Sequence, residues 1–429
     1  MMGRTHLRDA VFWFDRNVTT LPSLAGAVRA DVAVVGGGMM GLMCARTLVA
    51  RGQRVCLLEA ETCGSGASGR SSGLITPDSE LEFQDLLRQF GSEDGPRLWE
   101  FASGGVDAIR QAVLQDQIDC DMQAQDALYV AGTPGGAEVI TSEYAARQAF
   151  GYPCTLYSRE SLPAILGSTT YFGALRFGET FGINGYGACT GLRQRLLDAG
   201  GRVYERSPVT RISETGVETP EGSVQAPAVV LCADRFLPAL ALARREVYHA
   251  QTFLAISERL SSSDIDRIFV RDPLMVWETA IAYKYFRLTG QQRLLIGGGT
   301  LLSTYSRHEK HRPERVVRRM TRYLDERFPG LRVKFAACWP GLIGISKDFA
   351  PVVGQHPLYS SVHFAAAAAG LPWAAALGRY LAEKVLDGRG ELDAVLSVDR
   401  RFPVGPQLQS VVGAPSAFAI SHGILKFPR

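Results

Sequence analysis

The chain has 429 residues, of which 46% are hydrophobic and 21% are charged, and this length suggests two or three domains' worth of core. Its 46 basic and 43 acidic residues leave a net charge of +3 without a long basic block, so nucleic acid is not an expected partner. The longest weakly polar run, residues 364–378, is too short to cross a bilayer, so we expect no membrane span.

The cysteines and the first residues indicate the compartment. There are eight cysteines and no C-x-x-C pair, and the N-terminal residues lack the apolar core and the cleavage site of a signal peptide. We therefore expect a reduced, cytoplasmic protein. We predict no metal site.

The first predicted elements, after an arm of about 30 residues, lie between Asp31 and Glu59. An apolar strand is followed by a glycine turn, a helix, a second apolar strand and the Glu59 carboxylate. Gly36, Gly38 and Gly41 take the three glycine positions of G-x-G-x-x-G, which permit a sharp turn, approach of the backbone to a pyrophosphate, and close helix packing. Glu59 lies where an acceptor for ribose hydroxyls is expected. This order predicts a binding site for FAD or NAD(P).

The rest of the chain alternates helical and strand patterns. Predicted helices cover residues 81–118, 139–150, 188–199, 314–328 and 374–386. Predicted strands cover residues 126–130, 202–205, 209–212, 228–233, 252–256 and 293–297. We therefore predict an α/β fold with a discontinuous Rossmann-type nucleotide-binding domain (1–84, 185–240 and 335–400), an inserted α+β substrate domain with a mainly antiparallel sheet (85–184 and 241–334), and a C-terminal tail (401–429).

A second loop rich in glycine and serine, Gly64 to Gly73, follows the second strand and favours a flavin over NAD. With the first glycine motif, the strand 229–233, the segment 285–289 and the stretch 341–351, it resembles the D-amino-acid-oxidase-like FAD oxidoreductase superfamily, which includes glycine oxidase and sarcosine oxidase. The N-terminal arm and Trp339-x-Gly341 look most like its γ-glutamylputrescine oxidase branch.

The resemblance implies a set of FAD-binding residues. They are Gly36, Gly38, Met39, Met40, Gly41, Glu59, Ala60, Ala67, Ser68, Arg70, Ser71, Ser72, Val209 (through its backbone), Cys232, Ala233, Gly341, Gly370 and Leu371. Among these, Gly341 takes the position of the cysteine that attaches the flavin in sarcosine oxidase. We therefore expect noncovalent FAD.

The resemblance also implies the chemistry, in which a hydride passes from an amine to flavin N5 and the resulting imine hydrolyses. Amino-acid-oxidising members have an arginine for the substrate carboxylate at the position of Ile343, and an apolar side chain cannot offset desolvation of a carboxylate. We therefore predict a small amine without an α-carboxylate, a polyamine or an N-substituted amine.

Five residues are candidates for contact with this substrate. They are Tyr285, Tyr283 and Trp277 as an aromatic wall, His249, and Arg287. For each aromatic residue, packing in a sheet is the other interpretation, and for Arg287 it is a structural ion pair.

Three further departures from the family pattern leave alternatives open. Ala366 to Ala369 replace a Gly-x-Gly-His stretch, Asp234 replaces a glycine, and Leu295 stands where sarcosine oxidase has a lysine that assists reaction with oxygen. The electron acceptor is therefore oxygen or another acceptor, such as a quinone or a carrier protein. The alternative functions are an amino-acid oxidase with another carboxylate clamp, such as Arg287, and a partner-dependent flavoprotein subunit. The long C-terminal tail is the candidate contact for a partner or a second copy.

Overall fold

The computed structural model describes residues 7–15, 18–78, 80–280, 283–299 and 304–426. The helices are α1 (Met39–Ala50), α2 (Phe83–Gln115), α3 (Pro134–Ala149), α4 (Gly185–Asp198), α5 (Ser262–Ile268), α6 (Pro313–Arg327), α7 (Leu371–Asp387), α8 (Pro406–Val412) and α9 (Ala414–Lys426). Short 3₁₀ helices cover Phe12–Asp15, Leu162–Ala164 and Asp234–Leu240.

The strands belong to four sheets. In chain order they are β1 (Gly26–Arg29), β2 (Val32–Val35), β3 (Val55–Leu58), β4 (Leu74–Ile75), β5 (Gln123–Ala124), β6 (Ala127–Val130), β7 (Thr155–Ser158), β8 (Gly173–Phe177), β9 (Phe181–Gly182), β10 (Arg202–Tyr204), β11 (Arg211–Ser213), β12 (Gly216–Glu218), β13 (Gly222–Gln225), β14 (Ala228–Leu231), β15 (Val247–Arg259), β16 (Met275–Glu278), β17 (Lys284–Leu288), β18 (Arg293–Gly298), β19 (Phe335–Ser346), β20 (Val352–Gln355) and β21 (Val362–Ala366).

The nucleotide-binding domain is built on a six-stranded sheet in the order β10-β3-β2-β14-β21-β20, which is parallel except for β20. The four residues of β2 and of β3 are buried throughout, as expected for parallel strands covered on both faces. On one face α1 lies against α7 so closely that a Cβ on Gly378 would lie 2.2 Å from the Met40 carbonyl oxygen. The predicted α/β class with a discontinuous Rossmann-type domain is confirmed.

The second large sheet has eight strands in the order β19-β15-β18-β17-β16-β6-β8-β7, and only the β16–β6 pair is parallel. One face, with Phe253, Phe286 and Ile296, packs on α6 through Met320 and Leu324. The other face turns toward the loop between Gly64 and Gly73. The Trp339 Nε1–H donates to the Arg70 carbonyl at 3.1 Å, and the Arg287 Nε–H donates to the Ser72 carbonyl at 2.7 Å.

Several boundaries differ from those predicted. The helix predicted over 81–118 is kinked at Gly91, where φ of +81° and ψ of 179° are not helical. The helix predicted over 139–150 begins at Pro134, because Thr133 caps its N-terminus by accepting from Gly136 N–H. Residues 335–346, which the sequence pattern assigned to the nucleotide-binding domain, pair as β19 with β15.

The C-terminal tail packs back on its own chain. Phe418 of α9 is fully buried against Tyr248, and His422 stacks on Phe349 with ring centroids 3.8 Å apart. The last three residues of the predicted tail lie outside the described residues. No helix in the described part of the chain is both long enough and apolar enough to cross a membrane.

Candidate active site

The glycine turn between β2 and α1 has no room for side chains at two positions. Gly36 has φ of +111°, and a Cβ there would lie 2.5 Å from the Cys232 carbonyl oxygen. A Cβ on Gly41 would lie 1.9 Å from the Gly36 carbonyl oxygen. The turn therefore brings the N-terminus of α1, which starts with the buried Met39 and Met40, to the carboxyl end of β2.

The N-terminus of α1 has the character of an anion site. Its first turn contains no acidic side chain, and its cap residue, Gly38, provides no side-chain hydrogen bond. The Met39 N–H donates to the Ser68 hydroxyl at 3.0 Å, which ties the second glycine-rich loop to this end of the helix. Backbone N–H groups and the positive end of the helix dipole suit the phosphates of a dinucleotide.

Glu59, at the end of β3, is a carboxylate without a cation partner among the described residues. Its Oε2 accepts from Gly37 N–H at 2.6 Å, and its Oε1 accepts from Glu61 N–H at 2.9 Å, across the intervening Ala60. Burial raises the pKa of Glu59 above its usual value, against the effect of these hydrogen bonds. A carboxylate of this kind suits ribose hydroxyls, which donate hydrogen bonds to it and carry no charge.

The loop Gly64–Gly73 lies between the two large sheets. Ser71 donates its hydroxyl hydrogen bond to the Ser68 carbonyl, and a Cβ on Gly185 would lie 2.3 Å from that carbonyl oxygen, so the loop packs tightly against the start of α4. Ala67 is partly exposed in this loop. The Arg70 guanidinium is paired with Glu309 at 2.7 Å.

The end of β14 brings three segments together. Cys232 N–H donates to the Val35 carbonyl, and Ala233 precedes Asp234, which has φ of +44°. The Asp234 carboxylate accepts from Gly344 N–H at 2.8 Å and from Ala367 N–H at 2.9 Å. The aspartate that replaces the family glycine therefore joins β14 to β19 and to the alanine run. Val209 is partly buried and packs on the hydrophobic cluster that includes Leu231 of β14.

The alanine run is accommodated without glycine. Ala366 and Ala367 are fully buried, and Ala367 has φ of +56°, a left-handed conformation that its hydrogen bond to Asp234 maintains. Gly370, with φ of +108°, and Leu371 start α7, whose first turn contains no acidic side chain. Gly341 lies in β19 opposite Thr252 of β15, and a Cβ there would have an ordinary contact at 3.8 Å.

The predicted aromatic residues share the sheet face that turns toward the loop Gly64–Gly73. Tyr285 lies across Gly297 of β18, where a Cβ would come within 2.2 Å of its ring, and its hydroxyl is 3.2 Å from Thr252 Oγ1. The rings of Tyr283 and Tyr285 have centroids 5.6 Å apart. Trp277 of β16 pairs in register with Tyr285, and its Nε1–H donates to Glu82 Oε1 at 3.0 Å.

The remaining two candidates have other surroundings. His249 follows Tyr248 in β15, so its side chain leaves the opposite face of the strand. Burial lowers the pKa of His249, and the charge of Arg235 lowers it further. Arg287 is fully buried and donates to the carbonyls of Ser72 and Ile183, at 2.7 and 2.5 Å. Burial lowers its pKa to about 10. These contacts favour a structural role for Arg287.

Two groups near this face did not emerge from the sequence. Arg147 is buried between Asp78 and Glu143. Glu143 precedes it by one helical turn, but Asp78 lies 69 residues away, and no short motif connects Arg147 to it. Tyr305 O–H donates to His422 Nδ1 at 2.5 Å, because the His422 Nε2–H already donates to the Ser346 carbonyl at 2.7 Å. The uncharged helical pattern around His422 was the available signal, but it does not indicate where the helix packs.

Together these features fit FAD. The turn that excludes a Cβ at Gly36 and Gly41, the acid-free start of α1 and the Glu59 acceptor fit its ADP half. The second loop and the aromatic sheet face enclose the region next to it, where the resemblance places the flavin ring.

Comparisons with known proteins agree with the assignment of FAD. The family profile described as FAD dependent oxidoreductase (DAO) matches residues 31–384. The chain is 26% identical over 421 residues to the probable oxidoreductase OrdL of Haemophilus influenzae, covering 95% of this chain and 93% of that protein. It is 29% identical over 341 residues to the gamma-glutamylputrescine oxidoreductase of Escherichia coli, covering 78% of each.

Among solved structures, glycine oxidase from Geobacillus kaustophilus superposes with a TM-score of 0.74 at 20% identity, covering 88% of this chain and all of that one. L-proline dehydrogenase from P. horikoshii superposes with a TM-score of 0.71 at 17% identity, covering 87% of this chain and 96% of that one. The chain is a member of the DAO family of FAD-dependent oxidoreductases, and it is an enzyme with FAD as its cofactor.

Proposed function

We propose that this enzyme oxidises the C–N bond of an amine that carries no α-carboxylate, such as a polyamine or an N-substituted amine. The observation that carries the proposal is Ile343 in β19, at the position where the family resemblance expects the carboxylate-binding arginine. By strand alternation Ile343 shares a face with Gly341 and Trp339, the face next to the loop Gly64–Gly73. An apolar side chain there leaves a substrate carboxylate without a partner.

The nearby arginines already have partners. Arg287 donates to two backbone carbonyls, and Arg70 is paired with Glu309. Recruiting either one as a carboxylate clamp would leave those partners unsatisfied, at a cost of about 1–3 kcal/mol for each buried group. This argues against the amino-acid oxidase alternative that uses Arg287.

FAD, when bound, supplies the two-electron acceptor for the hydride on the carbon next to nitrogen. The protein's part is to bind and orient the amine. Burial raises the pKa of Tyr285 to about 12 and that of Tyr283 well above its usual value, so both hydroxyls stay protonated at neutral pH. The two tyrosines therefore act as apolar walls with hydrogen-bonding hydroxyls and not as bases.

The E. coli relative named gamma-glutamylputrescine oxidoreductase supports an amine substrate, whereas the relative named glycine oxidase, at 23% identity over 348 residues, supports the amino-acid alternative. Anaerobic bleaching of the flavin absorbance separates them, because it requires no particular acceptor. We expect reduction by polyamines and N-substituted amines and little reduction by glycine, sarcosine or D-amino acids. Comparable rates with the amino acids would refute the proposal.

A variant pair sharpens this test. Ile343→Arg is expected to improve reduction by carboxylate-bearing amines by tenfold or more, about 1.4 kcal/mol, because it restores a cation on the site face. Ile343→Leu keeps the apolar surface and should retain the original preference. Admitting air after reduction then measures reoxidation, which decides between oxygen and another acceptor.

The partner-dependent alternative has one observation in its favour. The outward sides of α8 and α9 expose Leu408, Val411, Ile420 and Ile424, and Val411 is 82% exposed. Contiguous exposed apolar side chains often mark contact surfaces. Light scattering of the wild type and of Val411→Glu measures whether this surface joins copies. A monomer in both cases, with full amine turnover, would remove this alternative.

We also propose a cytoplasmic location. The support is that all eight cysteines are free, and seven of them are buried. Fractionation of cells expressing a tagged copy tests it, and recovery outside the cytoplasm would refute it.

A further inference from the structure

Glu80 is a carboxylate in the segment between β4 and α2, next to the aromatic residues of the site. Its Oε1 accepts a hydrogen bond from the Tyr283 hydroxyl at 3.3 Å, and its side chain is partly buried. Within the described residues Glu80 forms no ion pair. Lys426 is the cation whose charge acts on it, but the Lys426 ammonium is itself bonded to Asp85 at 2.9 Å.

Glu80 lies beside a pair of tyrosine rings. Tyr283 is in contact with Tyr285. Burial raises the pKa of both tyrosines and of Tyr305, and the charge of Glu80 adds to the effect on each. These residues come from separate parts of the chain, the start of β17 and the segment before α6. The fold therefore places a carboxylate without an ion-pair partner among the described residues against Tyr283, which in turn contacts Tyr285.

This combination is suited to a cation. Removing a carboxylate from water without providing a counter-ion is unfavourable, and burial accordingly raises the pKa of Glu80. An ammonium group would supply the missing charge, donate hydrogen bonds to the carboxylate and interact with ring faces, which is worth about 0.5–2 kcal/mol.

The site residues from Glu80 to Gly341 form a row, and the position of Glu80 in this row indicates which substrate nitrogen it would bind. Tyr283 separates it from Tyr285, whose hydroxyl reaches Thr252, and Thr252 pairs with Gly341 in β19. Glu80 thus lies at the far end of the row from Gly341, which the resemblance places beside the flavin. A nitrogen that is to be oxidised must also be neutral, and a carboxylate contact would keep it protonated.

We propose that Glu80, with Tyr283 and Tyr285, binds a second, non-reacting ammonium group of the substrate, so that the enzyme prefers diamines or polyamines to monoamines. This inference rests on the proposed amine oxidation. It assigns Glu80 the role of a specificity residue and adds the requirement that the substrate carries two nitrogens a few carbons apart.

The test compares Glu80→Gln with the wild-type holoenzyme in anaerobic stopped-flow reduction by 1,4-diaminobutane and by 1-aminobutane. For wild type we expect the diamine to bind at least tenfold more tightly. Glu80→Gln should raise the apparent Kd for the diamine by about tenfold or more and leave that for the monoamine within about twofold. Tyr283→Phe, which keeps the ring, should give a smaller loss, and Glu138→Gln, an exposed carboxylate on α3, should change nothing.

An equal effect of Glu80→Gln on both amines, or no effect, would overturn the inference while amine oxidation stands. If neither these two amines nor an N-substituted amine reduces the flavin, the proposed function fails, and a binding measurement still decides the role of Glu80. Calorimetry with hexane-1,6-bis(trimethylammonium), which cannot be oxidised, and with hexyltrimethylammonium provides it. Tighter binding of the dication by wild type alone supports the subsite, and equal binding of the two by wild type and Glu80→Gln overturns it.

Discussion

Arg147 is a charged side chain that is only 1% exposed and is enclosed by carboxylates and aromatic rings. Its guanidinium pairs with Asp78 at 2.5 Å and with Glu143 at 2.6 Å, and it lies between the rings of Trp99 and Phe177, 4.5 and 4.1 Å from their centroids. Glu143 also accepts the first N–H groups of α2, so one arginine connects the segment before α2 to α3. This network holds the segment that contains Glu80.

Arg147→Ala is expected to lower the free energy of unfolding by about 3–5 kcal/mol, because removing the cation leaves buried carboxylates without compensation. Urea unfolding followed by tryptophan fluorescence measures the loss. The matched control is Arg211→Ala, whose partner Glu218 is exposed, and its loss should be much smaller because solvent screens an exposed ion pair. Similar losses for the two variants would show that the cluster contributes no more than a surface ion pair.

Among single residues, the sequence predicted those whose role depends on local chain geometry. Gly36 and Gly41 have the close contacts that the motif predicted, because the strand, turn and helix that create them are neighbours in the chain. Glu80, Arg147 and His422 were not predicted. The hydrogen-bond partners of Glu80 and His422 lie 76 or more residues away, and Arg147 joins Glu143, four residues away, to Asp78, 69 residues away. Only folding brings the distant groups to these side chains.

At the scale of the element, α9 is held by His422. This ring is stacked on Phe349, accepts from Tyr305 and donates to the Ser346 carbonyl. Burial lowers its pKa from 6.5 to about 4, so the folded state requires the neutral ring. A helix of 13 residues with an exposed outer side depends on such contacts for its position.

Docking of α9 should therefore weaken in acid. Between pH 6.5 and about 4 the detached state binds a proton that the docked state excludes, so the docking free energy falls as pH falls through that window, by about 3 kcal/mol in total, and then stays constant. Hydrogen exchange of the α9 amides, compared at matched pH between wild type and His422→Gln, measures it. Protection should fall with acid in wild type and in the His308→Gln control but not in His422→Gln. A parallel fall in all three would contradict this role for His422.

Element boundaries illustrate a second limit of sequence patterns. Helical periodicity predicted α6 within one residue at each end, because this helix has one buried and one polar side. The apolar run predicted β18 within one residue, but the residues predicted for β15, 252–256, are only the middle of the observed strand. The pattern could not assign residues 335–346 to a sheet. An apolar strand has the same sequence pattern in either domain, and only the pairing of residues 335–346 with β15 shows which sheet they join.

At the scale of the whole molecule, FAD would contact segments that are far apart in the chain, from the turn at Gly36 to the start of α7 at Gly370. Binding to the folded state alone stabilises it by mass action, by about 2.7 kcal/mol at a hundredfold excess over Kd. We expect thermal unfolding of the apoprotein to shift upward with added FAD, and acid precipitation of the holoenzyme to leave the yellow colour in the supernatant.

Gly41→Ala should abolish this shift, because its Cβ would overlap the Gly36 carbonyl oxygen. Gly104→Ala, on α2 with nothing within 4 Å, should preserve it. An unchanged FAD-dependent shift in Gly41→Ala would show that the cofactor does not need this turn.

The sequence by itself determined the cofactor class and the Rossmann-type fold, because a glycine turn, a helix start and a carboxylate form one continuous stretch whose geometry is local. The tertiary structure decided which polar groups meet across the two sheets. Asp234 joins β14 to β19 and the alanine run, Arg287 bonds to the second loop, and α9 covers Tyr248 and Tyr305. These contacts depend on the register and packing of distant segments, which periodicity and composition do not specify.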